Sequence, residues 1–108
     1  MNTEAIESRA HAALKYLTDT DEQAADLKHE AERALAAHEA TVDTAFLHYE
    51  GSVEVRKARA RNCESAIALY DKFLMAQRDY DAVANRRRSE ALAVDWCRSL
   101  YSNYRQGK

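Results

Sequence analysis

Proline is absent from this chain of 108 residues, and glycine occurs only twice, at Gly51 and Gly107. Because proline and glycine are the two residues that most disfavour a helix interior, a chain with so few of them can be helical over nearly its whole length. Alanine, the strongest helix former, supplies 21 residues. The sequence therefore predicts an all-α protein and excludes sheet-rich folds.

Large apolar side chains are scarce. Leu, Ile, Val and Phe together contribute 18 residues, and the net charge at pH 7 is only −2. A low apolar share indicates disorder when the net charge is large, which is not the case for this chain. Alanine-rich helices bury a thin core, and a thin core at this length usually requires a second chain. We expect one helical domain, residues 1–108, that forms a homo-oligomer, in the simplest case a dimer.

The internal glycine marks a turn. Gly51 is followed by Ser52, a residue type that caps helix N-termini, so one helix is expected to end and the next to begin at 50–52. Thr20 and Gln23 fit a capping box, which predicts a break after a short N-terminal helix. The expected helices are 3–17, 20–50 and 53–105, and the third is either continuous or broken near Asn62 or Asn85.

Apolar and small residues recur every three or four positions along both arms. This pattern predicts a coiled-coil-like seam in a long antiparallel helical hairpin that dimerises into a bundle. The first arm contributes Ile6, Ala10, Ala13, Leu17, Ala24, Leu27, Ala31, Leu35, His38, Val42, Ala45 and Tyr49. The second contributes Cys63, Ile67, Tyr70, Phe73, Leu74, Gln77, Tyr80, Ala84, Ala91, Val94 and Tyr101.

Charge is divided between the two halves of the chain. Residues 1–54 hold twelve acidic residues and four Lys or Arg, a net −8, whereas residues 55–108 hold six acidic residues and twelve Lys or Arg, a net +6. In a hairpin the acidic arm would lie beside the basic arm. Two basic clusters stand out: Arg56, Lys57, Arg59 and Arg61 after the turn, and Arg86, Arg87 and Arg88 further along.

These basic clusters are candidates for sequence-independent contacts with nucleic acid. Forked guanidinium donors match phosphate oxygens, and Arg98 and Arg105 extend the candidate set. Ion pairing with acids across the hairpin is an alternative explanation for the first cluster. The acids expected opposite it are Glu39, Asp43, Glu50 and Glu54.

The second cluster has fewer acids to pair with. If residue i faces roughly residue 103 minus i, Arg86–Arg88 lie near Lys15 and Tyr16. The Arg86–Arg88 cluster is therefore the better candidate for phosphate contact.

The last twenty residues form an apolar arc of about half the circumference of a helix or more. One neighbouring helix cannot cover so wide a face, so either the short N-terminal helix or a second chain is expected to cover the rest. A face of this kind is usually core or interface. The candidate interface residues are Leu92, Trp96, Leu100, Tyr101 and Tyr104.

Sequence motifs for catalysis are missing from the chain. It has no glycine-rich phosphate loop, nucleophile elbow or zinc-protease motif, and its four histidines never stand four residues apart. It also has no apolar run long enough for a membrane helix. We expect a protein that is not an enzyme, without catalytic residues, cofactor, metal, small-molecule substrate or membrane contact.

Two cysteines, Cys63 and Cys97, are 34 residues apart. On one straight helix they would lie about 50 Å apart, too far to form a disulfide bond within the chain. Unpaired cysteines are typical of a reducing compartment, which predicts a cytoplasmic protein.

The turn and the C-terminal tail carry a further pattern. The turn reads Glu50-Gly51-Ser52-Val53, followed by Arg56 and Ala58. The tail reads Asp95-Trp96-Cys97-Arg98-Ser99-Leu100, with Ser102, Asn103, Arg105, Gln106 and Gly107. Further matches at Thr18-Asp19, Glu22, Ala25, Leu27 and Phe46-Leu47 extend the pattern over most of residues 18–107.

This pattern resembles that of small phage- and prophage-encoded helical proteins without an established activity, which often end in a Trp-x-x-x-x-x-x-Asn-x-Arg-Gln-Gly stretch. This chain differs from that tail at Tyr104, where Arg or Gln is usual. Because such proteins are commonly found among replication and recombination functions, the resemblance implies a role near DNA or near proteins that handle DNA. It brings no catalytic residues, and it implies the host-cell cytoplasm as the location.

The first functional hypothesis is therefore a non-enzymatic phage accessory protein that binds a partner protein of the replication or recombination machinery. It depends on the apolar face around Trp96. One alternative is direct nucleic-acid binding through the basic clusters. A second alternative is a structural role as a rigid helical spacer.

Overall fold

The computed structural model describes residues 2–107 and contains three α-helices, with no strand in that range. They are α1 (Thr3–His48), α2 (Val53–Arg61) and α3 (Glu64–Arg105). The prediction of an all-α protein is confirmed. Positions 1 and 108, the ends of the expected domain, lie outside the described residues.

Helix α1 continues through the segment where a break was expected. The hydroxyl of Thr20 donates to the carbonyl oxygen of Tyr16 at 2.7 Å, and Lys15 forms an ion pair with Asp19 at 2.7 Å. Because these bonds satisfy the polar side chains within the helix, the side chains do not end the helix here. The prediction of separate helices at 3–17 and 20–50 is wrong.

The turn between α1 and α2 lies where the sequence places it. Gly51 has a φ of 115°, a conformation that glycine adopts readily because it has no Cβ. Ser52 is the N-cap of α2, and its hydroxyl oxygen accepts a hydrogen bond from the backbone N–H of Val55 at 3.3 Å. The predicted turn at 50–52 is therefore confirmed.

A second interruption separates α2 from α3. At Asn62, the backbone N–H and the side-chain Nδ2 both donate to the carbonyl oxygen of Ala58, at 3.2 and 2.7 Å. This local capping ends α2, and α3 begins two residues later at Glu64. A continuous helix over 53–105 is therefore wrong. The break lies at Asn62, one of the two sites predicted, whereas Asn85 lies inside α3.

Two compact units are defined by the contacts within the chain. Unit 1 combines the start of α1, up to Ala24, with the end of α3, from Asp81, and unit 2 is Ala25–Tyr80. In unit 1, Arg9 pairs with Glu90 and Arg87 with Asp21, so the two helical segments are antiparallel. In unit 2, His38 contacts Tyr70 while Arg56 of α2 contacts Phe46 near the end of α1.

The unit 1 seam is a heptad pattern in which spacings of three and four alternate. Every position in it is buried or half-buried, as knobs-into-holes packing of two helices requires. The α1 positions are Ile6, Ala10, Ala13, Leu17, Thr20 and Ala24. The α3 positions are Val83, Arg87, Glu90, Val94, Cys97 and Tyr101.

The unit 2 seam follows the same spacing. Its positions are Leu27, Ala31, Ala34, His38, Thr41 and Ala45 of α1, and Ala66, Leu69, Phe73, Ala76 and Tyr80 of α3. His38 lies in this seam, with Nδ1 3.0 Å from the carbonyl oxygen of Ala66. The buried residues described in unit 2 are all alanines, whereas those in unit 1 are Ala13 with Ile6, Val94 and Cys97. Where alanine occupies the seam, little room remains for large side chains.

Enlarging a seam alanine should therefore destabilise the protein. Ala13 is fully buried, so we expect Ala13→Leu to lower the free energy of unfolding by about 1–3 kcal/mol through overpacking. Its neighbour Ala12 is exposed, so Ala12→Leu should change that energy by less than about 0.5 kcal/mol. Urea denaturation followed by circular dichroism measures both. Equal effects of the two substitutions would contradict the seam.

Candidate binding surfaces

Arg87, a candidate for phosphate contact, lies in the unit 1 seam. Its Nη1 donates to the carbonyl oxygen of Leu17 at 2.7 Å and to the hydroxyl of Thr20 at 2.8 Å. Its Nη2 donates to a carboxylate oxygen of Asp21 at 3.0 Å. The side chain is only 22% exposed. These contacts use three of the five guanidinium N–H donors and hold the side chain in the seam, so Arg87 is a structural residue in this conformation.

A second ion pair stands next to Arg87 in the seam. Arg9 donates through Nη1 to a carboxylate oxygen of Glu90 at 2.7 Å. The hydrogen bond to Glu90, together with the negative charge of that carboxylate, raises the pKa of Arg9, although partial desolvation opposes the shift. Arg87 and Thr20 thus form a polar layer in the seam, and Glu90, about one turn further along α3, adds a second polar position paired with Arg9. A polar layer of this kind favours one register of the two helices.

The other two arginines of this cluster are closer to the surface. The guanidinium carbon of Arg86 lies 4.0 Å from the ring centroid of Tyr16, a cation–π contact. The expected proximity of this cluster to Tyr16 is therefore confirmed. Arg88 is exposed, and its Nη1 donates to Asn85 Oδ1 at 3.1 Å. The cluster offers fewer free phosphate donors than its sequence indicates.

In the first basic cluster, one arginine is held against α1 and the other three basic residues are exposed. The guanidinium of Arg56 lies 4.1 Å from the ring centroid of Phe46, and its Nε and Nη2 donate to the carbonyl oxygen of that residue at 3.3 and 3.2 Å. This contact attaches α2 to the end of α1. Lys57, Arg59 and Arg61 are exposed and form no ion pair with any described residue.

The acids expected opposite the first cluster form no direct ion pair with it among residues 2–107. Ion pairs within residues 2–107 join Arg9 to Glu90, Lys15 to Asp19, Arg87 to Asp21 and Arg98 to Asp95, all in unit 1. Glu39, Asp43, Glu50 and Glu54 take part in none of these. The contact that attaches α2 to α1 runs instead through Arg56 and Phe46. The positive charge of Lys57, Arg59 and Arg61 remains available to an anionic partner.

Arg98 and Arg105 lie at the C-terminal end of unit 1. Arg98 is 3.8 Å from Asp95, and both side chains are about three-quarters exposed, so this pair contributes little to stability. Arg105 is exposed and borders a cavity of about 590 Å³ between the ends of α1 and α3. Glu7 and Tyr101 also line this cavity, which therefore presents both signs of charge.

The predicted interface residues divide into exposed and half-buried ones. Leu92 is 65% exposed, Trp96 58% and Tyr104 49%. Leu100 and Tyr101 are half-buried, and Tyr101 belongs to the unit 1 seam. Positions 92, 96, 100 and 104 follow one another four residues apart, so they form a continuous stripe on α3. We name its three exposed residues, Leu92, Trp96 and Tyr104, the C-terminal face.

Four residues expected in the seam of the second arm are exposed instead: Ile67, Tyr70, Leu74 and Ala91. Ile67, Tyr70 and Leu74 are each more than two-fifths exposed. The unit 2 seam runs through Ala66, Leu69 and Phe73, one residue out of phase with them. The sequence contains two overlapping stripes, and the stripe with the smaller residues faces α1. Their exposure is the surface feature that the sequence pattern missed.

Groups that could hold an ion or a cofactor are few in the described part of the chain. No three His, Cys, Asp or Glu side chains within residues 2–107 cluster as metal ligands. Cys63 is half-buried, Cys97 is buried, and both are free thiols. In this same range, no helix combines the length and the apolar character that crossing a membrane requires.

Comparisons with known proteins leave the geometry as the main guide to function. No protein-family model, no curated protein and no solved structure matches the chain.

Removing the Arg87 side chain should destabilise unit 1. We expect Arg87→Ala to lower the free energy of unfolding by about 1–3 kcal/mol, because Thr20 and the carbonyl of Leu17 lose charged hydrogen bonds at a partly buried site. Arg88→Ala, next to it but exposed, should change the energy by less than about 0.5 kcal/mol. Urea denaturation compares the two. A loss at Arg88 as large as that at Arg87 would refute a specific polar layer.

Proposed function

We propose that this chain is a non-enzymatic helical adaptor that binds a partner protein through the C-terminal face. The observation that supports this proposal is the exposure of Leu92, Trp96 and Tyr104 as one group. Isolated apolar side chains are common on protein surfaces, but a contiguous set containing Trp and Tyr is typical of interaction sites. Tryptophan and tyrosine also contribute disproportionately to the affinity of protein interfaces.

The chemistry of the C-terminal face indicates what a partner must offer. Ser99 and Asn103 are exposed polar residues close in sequence to Trp96 and Tyr104, without charge. Asp95, Arg98 and Arg105 are exposed charged neighbours of the same residues. A complementary surface would be an apolar groove, or the apolar side of an amphipathic helix, with a polar rim that carries both signs of charge. In line with the resemblance to phage-encoded helical proteins, we propose a cytoplasmic partner from a phage replication or recombination complex.

Site-specific photo-crosslinking tests this proposal in the cell that produces the protein. A photoreactive phenylalanine analogue at position 96 should give discrete adducts heavier than two copies of the chain, and mass spectrometry should identify the same partner repeatedly. The control is the analogue at Glu22, an exposed polar position in unit 1. Position 22 should give no such adduct. Absence of adducts at position 96, or the same adducts at both positions, would refute the proposal.

Nucleic-acid binding is the second candidate function, and one observation favours it. Lys57, Arg59 and Arg61 lie on one nine-residue helix, are exposed and have no ion-pair partner among residues 2–107. Basic side chains without acidic partners can neutralise phosphates and release their counterions. Within this candidate function, α2 is the first choice and Arg86–Arg88 the second, since Arg87 is held in the seam.

Salt-dependent titration with labelled single- and double-stranded DNA tests this candidate. Replacing Lys57, Arg59 and Arg61 together by Gln should reduce the slope of log affinity against log salt by about 2–3, because each phosphate contact contributes about 0.7–0.9. The matched control replaces Arg88, Arg98 and Arg105 by Gln, which removes the same charge elsewhere. Equal slopes in the two triple variants, or no binding at low salt, would rule out α2 as the binding site.

A further inference from the structure

Helix α3 carries an exposed apolar stripe within unit 2. Ile67 is 47% exposed, Tyr70 43% and Leu74 47%. Their spacings of three and four residues repeat the seam pattern, shifted by one position from Ala66, Leu69 and Phe73. The segment therefore has two adjacent stripes at coiled-coil spacing. One packs against α1. The other, which we name the outer stripe, leaves more than two-fifths of each of its three side chains exposed, although Tyr70 also contacts His38 of α1.

The ring of Tyr70, the aromatic residue of the outer stripe, packs against two other aromatic rings. The ring of Tyr70 lies 5.1 Å from that of His38 and 5.9 Å from that of Phe73, measured between centroids, and both rings are tilted. His38 is itself fixed by the contact of its Nδ1 with the carbonyl of Ala66. Because these contacts already restrict the Tyr70 side chain, less conformational entropy is lost when a partner packs on it.

Opposite charges stand at the two ends of the outer stripe. Glu64 precedes Ile67 by three residues, and Arg78 follows Leu74 by four. Both are exposed, and neither forms an ion pair within residues 2–107. The stripe therefore has an aromatic residue at its centre, one aliphatic residue on each side, an acid at one end and a base at the other.

We propose that the outer stripe binds the outer stripe of a second copy of this chain, with the two α3 helices antiparallel about a two-fold axis near Tyr70. In this register Ile67 lies opposite Leu74 of the second copy. Glu64 lies opposite Arg78 of the second copy, and the symmetry produces each of these contacts twice. The product in this region is a bundle of four helices, two from each copy, which thickens the small core.

Charge complementarity is the reason to assign this face to a second copy. A second copy carries Arg78 to pair with Glu64 and Glu64 to pair with Arg78. An unrelated helix would have to carry a base and an acid at the same spacing. The outer stripe belongs to unit 2 and the C-terminal face to unit 1. This inference therefore does not depend on the proposed function, and either can fail alone. Since only three large apolar residues lie at its centre, the interface is small, and we expect affinity in the micromolar range.

One residue opposes this register. Asp71 lies one position beyond Tyr70 and would approach Asp71 of the second copy across the axis. Like charges that face each other across an interface weaken association. Asp71→Asn should therefore tighten the dimer, which is a result that a merely hydrophobic attachment of the stripe to some other surface would not give.

Sedimentation equilibrium of the full chain, with charge-reversed variants, tests the proposal. Glu64→Arg alone and Arg78→Glu alone should each raise the dissociation constant by about three- to thirty-fold, because each places like charges at both ends of the interface. The double variant should return it to near the original value. Lys72→Glu, an exposed substitution that borders a different groove, is the control and should change it by less than about two-fold.

Circular dichroism establishes that every variant is folded before its mass is measured. A chain that stays monomeric up to several hundred micromolar would overturn the proposal, as would a double variant that remains as weak as the single ones. A dimer that is lost on Trp96→Ser but not on Tyr70→Ser would also overturn it, because the second copy would then occupy the C-terminal face. Partner adducts at position 96 test the proposed function separately.

Discussion

The close approach of α1 and α3 through alanine is the constraint on which the other features of this protein depend. Among the described residues, five of the eight buried apolar side chains are alanines, and Ala13 of α1 and Ala66 of α3 are fully buried. A seam of such small side chains holds two helices near each other but excludes most of the larger apolar residues. The polar layer around Arg87 occupies the same seam and satisfies its donors with Leu17, Thr20 and Asp21.

Large apolar side chains consequently lie outside the seam. Trp96, Leu92 and Met75 are each more than half exposed, although side chains of this size are usually buried. We attribute the exposed apolar surfaces to the small seam. Alanine supplies most of the buried positions, and large side chains able to contribute binding energy remain outside. The arginines also divide: Arg87 of α3 and Arg56 of α2 are held by contacts with α1, whereas Arg59 and Arg61 of α2 are exposed.

Much of the fold could be predicted from the sequence, but the details that set the surfaces could not. The lack of proline and the Gly51-Ser52 pair were sufficient for the helical class and the turn. The break predicted at Thr20 is absent because the hydroxyl of a threonine can either cap a helix or bond to the preceding turn. Here it bonds to the preceding turn and also accepts a hydrogen bond from Arg87, which is distant in sequence. The phase of the seam was ambiguous because two stripes, one residue apart, both fit coiled-coil spacing, and only packing against α1 selects between them.

Acrylamide quenching of Trp96 fluorescence would show whether the large apolar residues lie outside the core, because Trp96 is the only tryptophan of the chain and lies in the C-terminal face. In dilute protein we expect red-shifted emission and efficient quenching, approaching that of free tryptophan, since the side chain is 58% exposed. Blue-shifted emission with weak quenching, persisting on dilution, would contradict an alanine core with the large residues outside it. It would mean that the chain covers this face itself and that the large apolar residues belong to its own core.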